Sequence, residues 1–488
     1  MILSEIELNN GIRPWPSVDL DAKGITSDSR QVSEGTVFAA WQGEHVDGHD
    51  YIWDAVSKGA VAILHEHALT DAPPVPSFQS NSIRRDYSHI AYQLAGLLPQ
   101  KMTLIGITGT NGKTTTTQLV AQLLRGLGKR VGTIGTLGAE YDSVVFREGM
   151  TTPPAEVVAS DLNHMLDQGV EICVMEVSSH ALSQERLFGL KFSVAAWTNL
   201  TPEHLDFHGT MEAYAAAKAR LFHEFCDVRE NWVLNLDDPE VAKFAELDVF
   251  TFSQGVGHPD ATLRIEAESF NKNRTRCQLH VGGRVFDVES PLIGSFNLQN
   301  LAAALGVVTR LGFSFDKAME LVPGLSGIPG RMELVSRQDE PLVVVDYAHT
   351  PDALLKALTT LKALPHKRLI CVFGCGGDRD QDKRPVMGRL AAENADRFFV
   401  TNDNPRTESP TLISDMIEEG IPSDAESQYN VVLDRELAIQ SAIESAEPDD
   451  VILIAGKGHE TYQINGTVVV DFDDRKIARS YLNKKFAN

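Results

Sequence analysis

Short apolar runs separated by polar turns mark the first hundred residues, as at Thr36–Trp41 and Ala60–Leu64; the Pro-rich stretch Asp71–Ser77 reads as an exposed loop. From Met102 to about Gly330 the pattern becomes strand, Gly-rich turn, helix, strand. Apolar β-rich runs at Met102–Ile107, Glu171–Met175, Val194–Trp197 and Trp232–Leu236 alternate with helix-like segments. That alternation predicts a buried, mostly parallel sheet covered by helices. Alternating residues through Ala261–Val288, around Gly282-Gly283, predict an antiparallel hairpin insert. Beyond the turn cluster Gly327-Ile328-Pro329-Gly330 a fresh alternation begins. Strands are expected at Leu342–Val345, Arg368–Phe373, Arg397–Val400 and Val451–Ala455, with helices at Pro351–Leu364 and Thr411–Glu419. This describes a second, smaller doubly wound sheet. The expectation is an α/β chain in three domains, 1–99, 100–330 and 331–488, in keeping with 488 residues at roughly 150 per domain.

The run Met102–Ile107 leads into Thr108-Gly109-Thr110-Asn111-Gly112-Lys113-Thr114-Thr115, and an apolar helix with Leu119, Val120, Leu123 and Leu124 follows to near Gly126. A strand, a Gly-rich loop and a helix N-terminus in this order cradle a nucleotide's phosphates with backbone N–H groups. Lys113 can reach the β- and γ-phosphates, and the hydroxyl of Thr114 or Thr115 can ligate Mg²⁺. The spacing departs from the strict P-loop pattern: Ile107 stands where its first glycine belongs, with Gly106 and Gly109 nearby. A nucleoside-triphosphate site is expected, but the loop does not say what the nucleotide is for.

Glu176 ends the run EICVME, at the carboxyl edge where parallel sheets gather ligands, and is placed to share the loop's cation. The segment Thr198–Gly209 packs Glu203, His204, Asp206 and His208 behind another strand. His204 reads as a metal ligand; Asp206 and His208 read equally well as ligand or as structure. Lys218 lies in the Ala-rich helix Met211–Phe222 and, taken alone, reads as a solvated side chain.

With 44 Lys+Arg against 67 Asp+Glu the net charge is −23, which repels polyphosphate polymers and argues against nucleic-acid or anionic-membrane partners. Five cysteines without a C-x-x-C pair argue against a disulfide framework or a structural zinc site and read as packing residues. No signal peptide and no membrane-spanning run is evident, so the expected location is cytoplasmic, without membrane insertion.

Together the motifs GITGTNGKTTTT (106–117), MEVSSHAL (175–182), TNLTPEHLDFHG (198–209), GSFNLQN (294–300), GIPGRME (327–333), VVDYAHTPDAL (344–354) and AGKGHETYQ (455–463) resemble the Mur ligase family. FGCGGDRDQDKRP (373–385) and DNPRTESP (403–410) resemble its MurE-type branch, in the form that adds meso-diaminopimelate. The resemblance implies an N-terminal UDP-binding α/β domain, a central P-loop ATPase domain and a C-terminal Rossmann-like domain. It implies ATP as co-substrate and Mg²⁺, with UDP-MurNAc-L-Ala-D-Glu and meso-diaminopimelate as the molecules joined; a monomer is the default expectation. By motif, Gly109, Thr110, Asn111, Gly112, Lys113, Thr114 and Thr115 would hold ATP phosphate, and Asn297, Asn300, Arg331, Asp346 and His349 would contact nucleotide. Thr114, Glu176, His204 and Lys218 would serve the metal, Lys218 matching the family's carbamylated lysine. The UDP-substrate would meet Ser29, Glu44, His45, Val46, Thr151, Thr152, Ser178, Gln184 and Arg186. Arg379, Asp403, Asn404, Pro405, Arg406, Gly456 and Glu460 would take the diamino acid. Met150 departs from the family pattern, standing where some relatives have Asn.

The implied reaction activates the D-Glu side-chain carboxylate as an acyl phosphate, which the amine then attacks. Lys113, Lys218, His204, Glu176 and His349 are its candidate catalytic residues; His349 or a carboxylate could accept the amine's proton. Arg406 can grip the distal carboxylate as a bidentate pair, while Asn404 and Glu460 can address the ammonium. Without the family, DNPR reads equally as an Asn-Pro turn. The alternatives are a lysine-adding ligase, a folylpolyglutamate synthetase, and a P-loop switch that controls a partner.

Overall fold

The apolar runs fold where buried β-rich segments fold, as strands with residues hidden on both faces. The computed structural model describes residues 1–15, 20–43, 46–98, 100–245, 248–271, 274–337 and 339–486. It divides into two compact units, Met1–Phe252 with Ala303–Ala318, and Ser253–Ala302 with Met319–Asn488.

The first unit begins with a parallel sheet of β1 (Gly24–Thr26), β2 (Thr36–Ala40), β3 (Ala60–His65) and β4 (Ser77–Gln79), in that order. Next come β5 (Thr103–Thr108), β6 (Val131–Gly135), β7 (Gly138–Tyr141), β8 (Val144–Arg147), β9 (Ile172–Glu176), β10 (Val194–Trp197), β11 (Trp232–Asn235) and β12 (Phe250–Gln254). Their order is β12-β11-β10-β5-β9-β6-β7-β8. The pairings are parallel from β12 to β6, and β7 and β8 add an antiparallel edge. One hydrophobic cluster runs from Leu3 through Tyr87, Leu104 and Leu182 to Val249.

The helix Lys113–Gly126 carries four threonines directly after Lys113, each costing about 0.7 kcal/mol relative to alanine, roughly 3 kcal/mol together. Leu119, Val120, Leu123 and Leu124 are fully buried, and at about 1.5–3 kcal/mol each they outweigh that cost. Packing therefore fixes the helix and with it the N-terminus that faces the phosphate loop.

In the second unit, β13 (Leu263–Phe270), β14 (Thr275–Val281) and β15 (Arg284–Ser290) form an antiparallel meander, one strand more than the expected hairpin. A further sheet contains β16 (Glu333–Leu334), β17 (Leu342–Asp346), β18 (Leu369–Phe373), β19 (Arg397–Val400), β20 (Tyr429–Val431) and β21 (Val451–Ala455). Its order is β16-β17-β21-β18-β19-β20, parallel apart from β16. A separate hairpin joins β22 (Tyr462–Asn465) to β23 (Val468–Asp471).

All five cysteines are buried free thiols, as expected of packing residues, and burial pushes Cys226 up to about 11 and Cys277 and Cys375 up to about 12. Among the described residues no helix is long and apolar enough to cross a membrane.

Candidate active site

The phosphate loop leaves β5 through Gly109 at φ +148° and enters its helix through Gly112 at φ +84°. A Cβ on Gly109 would stand 1.9 Å from Thr198 Oγ1, so the position admits no side chain. The loop is tied to the end of β10: the Asn111 N–H donates to Asn199 Oδ1 at 2.9 Å, and Asn199 Nδ2 and Thr198 Oγ1 donate to the Asn111 carbonyl at 3.1 and 2.6 Å. Thr110 Oγ1 accepts from the Thr201 N–H at 3.0 Å and lies 3.2 Å from the Tyr214 hydroxyl. Lys113 Nζ donates to the carbonyls of Gly109 and Thr110, both at 2.8 Å. Thr115 is buried.

Glu176 is buried at the tip of β9, where it accepts from Thr114 Oγ1 at 3.1 Å, the Thr136 N–H at 2.8 Å and Thr136 Oγ1 at 3.0 Å. A Cβ on Gly135 would meet Glu176 Oε1 at 2.3 Å, so the β6–β7 turn fits closely round the carboxylate. Thr136 was not singled out from the sequence because β6 and β7 were not predicted. A carboxylate and a hydroxyl beside a phosphate-binding loop are the donor set by which Mg²⁺ is bound together with substrate phosphates. The residues fit that ion; among the described residues no group of three or more His, Cys, Asp or Glu forms a self-sufficient metal cage.

Lys218 reverses the expectation of a solvated side chain. The residue is 1% exposed, and its amine donates to the Gly109 carbonyl at 2.9 Å and lies 4.6 Å from the centre of the Tyr214 ring. Burial and then the nearby Lys113 hold its pKa well below the usual lysine value. The small neighbours Ala215, Ala217 and Ala219 are buried with it, and the family motif, not the helix composition, was the sequence signal that pointed to this lysine. His204 takes a left-handed conformation, φ +56°, with its ring 4.6 Å from that of His180. Burial lowers the pKa of both, His180 to about 4. His208 Nε2 lies 2.9 Å from Ser179 Oγ, a structural contact of the kind left open above.

Thr151, Thr152, Ser178, Gln184 and Arg186 converge beside Glu176. Thr152 Oγ1 donates to the Glu176 carbonyl at 2.8 Å and accepts from the Ser178 N–H at 2.9 Å, while Thr151 Oγ1 lies 3.2 Å from Thr136 Oγ1. Arg186 donates to the Thr152 carbonyl at 2.6 Å and to Gln184 Oε1 at 2.7 Å. Ser29 and Val46 line a separate cleft of about 490 Å³ with Ser27, Trp41 and Tyr51. Glu44 and His45 lie outside the described residues. Met150 is exposed.

The second unit carries its own polar site. Asp346, at the tip of β17, accepts from the Met332 N–H at 2.7 Å, and burial raises its pKa against the nearby Arg331. The Arg331 guanidinium lies 4.5 Å from the Tyr347 ring centre. His349 Nδ1 is 2.8 Å from the Tyr347 carbonyl; as that atom can only accept, Nδ1 carries a proton. Asn297 Nδ2 donates to the Ile293 carbonyl at 2.7 Å and Asn300 Nδ2 to Asn297 Oδ1 at 3.1 Å.

Asp403-Asn404-Pro405-Arg406 follows β19. Asp403 and Asn404 are buried, and Arg406 takes φ +51° and donates from Nη1 to the Gly377 carbonyl at 2.7 Å. The Gly377 N–H donates to the Asn404 carbonyl at 2.9 Å, and buried Arg384 grips Glu408 with bonds of 2.8 and 2.9 Å. These join the 373–385 and 403–410 motifs. Arg379 is exposed, donating to the Asp378 carbonyl at 3.0 Å. Gly456, at φ +116°, brings β21 against Asp403, and Glu460 accepts from Asn404 Nδ2 at 2.9 Å. Sequence reasoning missed Lys457, fully buried among these acids, although it stands inside a quoted motif between two glycines. It also missed the buried pair Arg435–Asp474 at 2.7 Å, whose partners are 39 residues apart.

Three family models match in chain order: the Mur ligase family catalytic domain over residues 21–100, the Mur ligase middle domain over 107–308 and the Mur ligase glutamate ligase domain over 330–458. A UDP-N-acetylmuramoyl-L-alanyl-D-glutamate–2,6-diaminopimelate ligase of Gloeobacter violaceus is 42% identical over 99% of both chains. A ligase of the same description from Pseudomonas putida is 43% identical over 91% of both. A solved structure of a ligase so described superposes with a TM-score of 0.69 at 35% identity, over 97% of this chain and 96% of that one. A MurF ligase of Thermotoga maritima, solved with ADP, shares the fold at 21% identity with a TM-score of 0.61, over 95% of this chain and 97% of that one.

Proposed function

The chain belongs to the Mur ligase family, and from that premise we propose that it is an ATP-dependent ligase joining meso-diaminopimelate to the D-Glu side-chain carboxylate of UDP-MurNAc-L-Ala-D-Glu. The observation that carries this reading is the relationship, over 99% of both chains, to a relative of that description. The two polar sites fit it. The proposed domain boundaries follow at 99 and 330, and the enzyme is proposed to act as a cytoplasmic monomer.

The γ-phosphoryl group of ATP passes to the D-Glu carboxylate, releasing ADP and leaving an acyl phosphate. The amine attacks the acyl carbon, phosphate departs from the tetrahedral intermediate, and a proton is lost to leave the amide. Carboxylate and triphosphate repel one another, so their approach requires cations and fixed dipoles. Lys113 and the N–H groups of Gly109–Gly112 are proposed to hold the transferred phosphoryl group; in the structure Lys113 rests on loop carbonyls that phosphate oxygens would outcompete. Mg²⁺ would supply further neutralisation, held by Thr114 and Glu176, with His204 and a carbamylated Lys218 proposed to assist. The buried amine of Lys218 is disposed to be neutral, the form that adds carbon dioxide. Thr152, Ser178 and Arg186 are proposed to hold the substrate's peptide, and Ser29 and Val46 its uridine end. In the second unit Asn297, Asn300, Arg331, Asp346 and His349 are proposed to contact nucleotide, with His349 or a carboxylate proposed to accept the amine's proton. Asp403–Arg406, Gly456 and Glu460, with Arg379 nearby, are proposed to receive the diamino acid.

Labelling the D-Glu side-chain carboxylate with ¹⁸O tests the route. One label in the released phosphate is expected; unlabelled phosphate formed alongside amide would contradict it.

A further inference from the structure

The carboxamide of Asn404 has its orientation set by its neighbours. Its Oδ1 accepts from the Ile464 backbone N–H at 2.9 Å and from Lys457 Nζ at 3.2 Å; both partners are donors, which identifies this atom as the oxygen. Its Nδ2 donates to Glu460 Oε2 at 2.9 Å, and that same carboxylate oxygen accepts from Lys457 at 3.2 Å. Asp403 lies 3.8 Å from Lys457 Nζ. Lys457 is thus a fully buried ammonium that donates to an amide oxygen and one carboxylate and has a second carboxylate close by. Arg435 is matched by Asp474, so with Asp403 and Glu460 ionised the cluster holds one negative charge more than Lys457 balances. A ligand ammonium fits that excess.

We propose, resting on the reading of this loop as the amino-acid site, that Lys457 is a positioning residue that fixes which face Asn404 and Glu460 present to the incoming diamino acid. The Asn404 oxygen is filled by two donors, so the amide offers a ligand only its remaining N–H. It therefore addresses a carboxylate, beside Arg406, and not the ammonium that the sequence suggested. The ammonium falls to Glu460 and Asp403. Burial already raises the pKa of Glu460, with Lys457 the main opposing influence. Without Lys457 the two acids would repel, Glu460 would take up a proton, and the acceptor for the ligand ammonium would be lost. Discrimination for an amino acid with both charges on its distal head group is then a property of Lys457 acting through two other residues.

The test uses the full-length protein, with ATP, UDP-MurNAc-L-Ala-D-Glu and either meso-diaminopimelate or lysine. Lys457→Met is expected to raise KM for diaminopimelate at least about tenfold and to erode its preference over lysine by a similar factor. KM for ATP should stay within about twofold, and Lys457→Gln, which still offers the Asn404 oxygen an N–H, should recover part of the loss. Asn404→Asp keeps the oxygen that accepts from Ile464 and Lys457 but loses both N–H bonds, the one donated to Glu460 and the outward one. It should depress turnover of diaminopimelate at least about tenfold more than that of lysine, which has no carboxylate there. This arm stands even where Lys457→Met does not fold. Unchanged selectivity in a folded Lys457→Met, or equal losses with both amino acids in Asn404→Asp, would overturn the proposal. If instead Arg406→Ala leaves KM for diaminopimelate unchanged, the placement of the amino-acid site itself has failed.

Discussion

Lys218 Nζ lies 2.9 Å from the carbonyl oxygen of Gly109, joining the helix that carries it to the first residue of the phosphate loop across 109 positions of sequence. The bond is made in a buried place, where an ammonium is costly and a neutral amine is not.

A pH dependence of stability follows. The folded-state pKa of Lys218 is depressed, so between that value and the ordinary lysine pKa of about 10.4 the unfolded chain binds more protons. Stability contributed by this group therefore rises with pH through that window. In buffer stripped of carbon dioxide, the parent should gain on Lys218→Met by up to about 1.4 kcal/mol per pH unit as pH climbs towards 10. Parallel stability profiles, measured by denaturant titration, would contradict the burial argument.

Carbon dioxide itself should matter to activity. Removing it is expected to lower turnover, and bicarbonate to restore it. Lys218→Ala should lose about a hundredfold or more in kcat and recover partly with a short carboxylate added in solution. Indifference to both additions would remove Lys218 from the proposed metal site.

Gly109→Ala should not be tolerated. The new Cβ would meet Thr198 Oγ1 at 1.9 Å and the residue would sit at φ +148°. Backbone strain alone is about 1–3 kcal/mol, with displacement of Thr198 added to it. A lower melting temperature together with weaker ATP binding by calorimetry is the expected pair of results.

Glu176→Gln places an N–H₂ among the donors Thr114 Oγ1, Thr136 N–H and Thr136 Oγ1. The Mg²⁺ concentration needed for half-maximal turnover should rise about 10–100-fold. An unchanged Mg²⁺ requirement in the folded variant would separate this carboxylate from the ion.

Much of this architecture is legible in the sequence where a strand is buried on both faces. Val194–Trp197, Arg397–Val400 and Val451–Ala455 fold over the ranges their apolar runs predict. The turn that holds Glu176 was not legible, because β6 to β8 are short and mix Gly, Thr and charged residues without a clear period. Lys218 illustrates the other limit. Its helix reads as ordinary surface, and only tertiary packing over the small alanines hides the amine. Lys457 and Arg435 depend on partners distant in sequence, Asn404 and Asp474, contacts that no local pattern encodes. The family motifs brought forward residues that side-chain chemistry alone would have passed over.

The most direct measurement is phosphate release from ATP in the presence of UDP-MurNAc-L-Ala-D-Glu, with meso-diaminopimelate or lysine added in parallel and the product weighed by mass spectrometry. Release coupled to a mass gain of one diaminopimelate residue, with little product from lysine, is the predicted result. Efficient addition of lysine, or no release coupled to either amine, would contradict it.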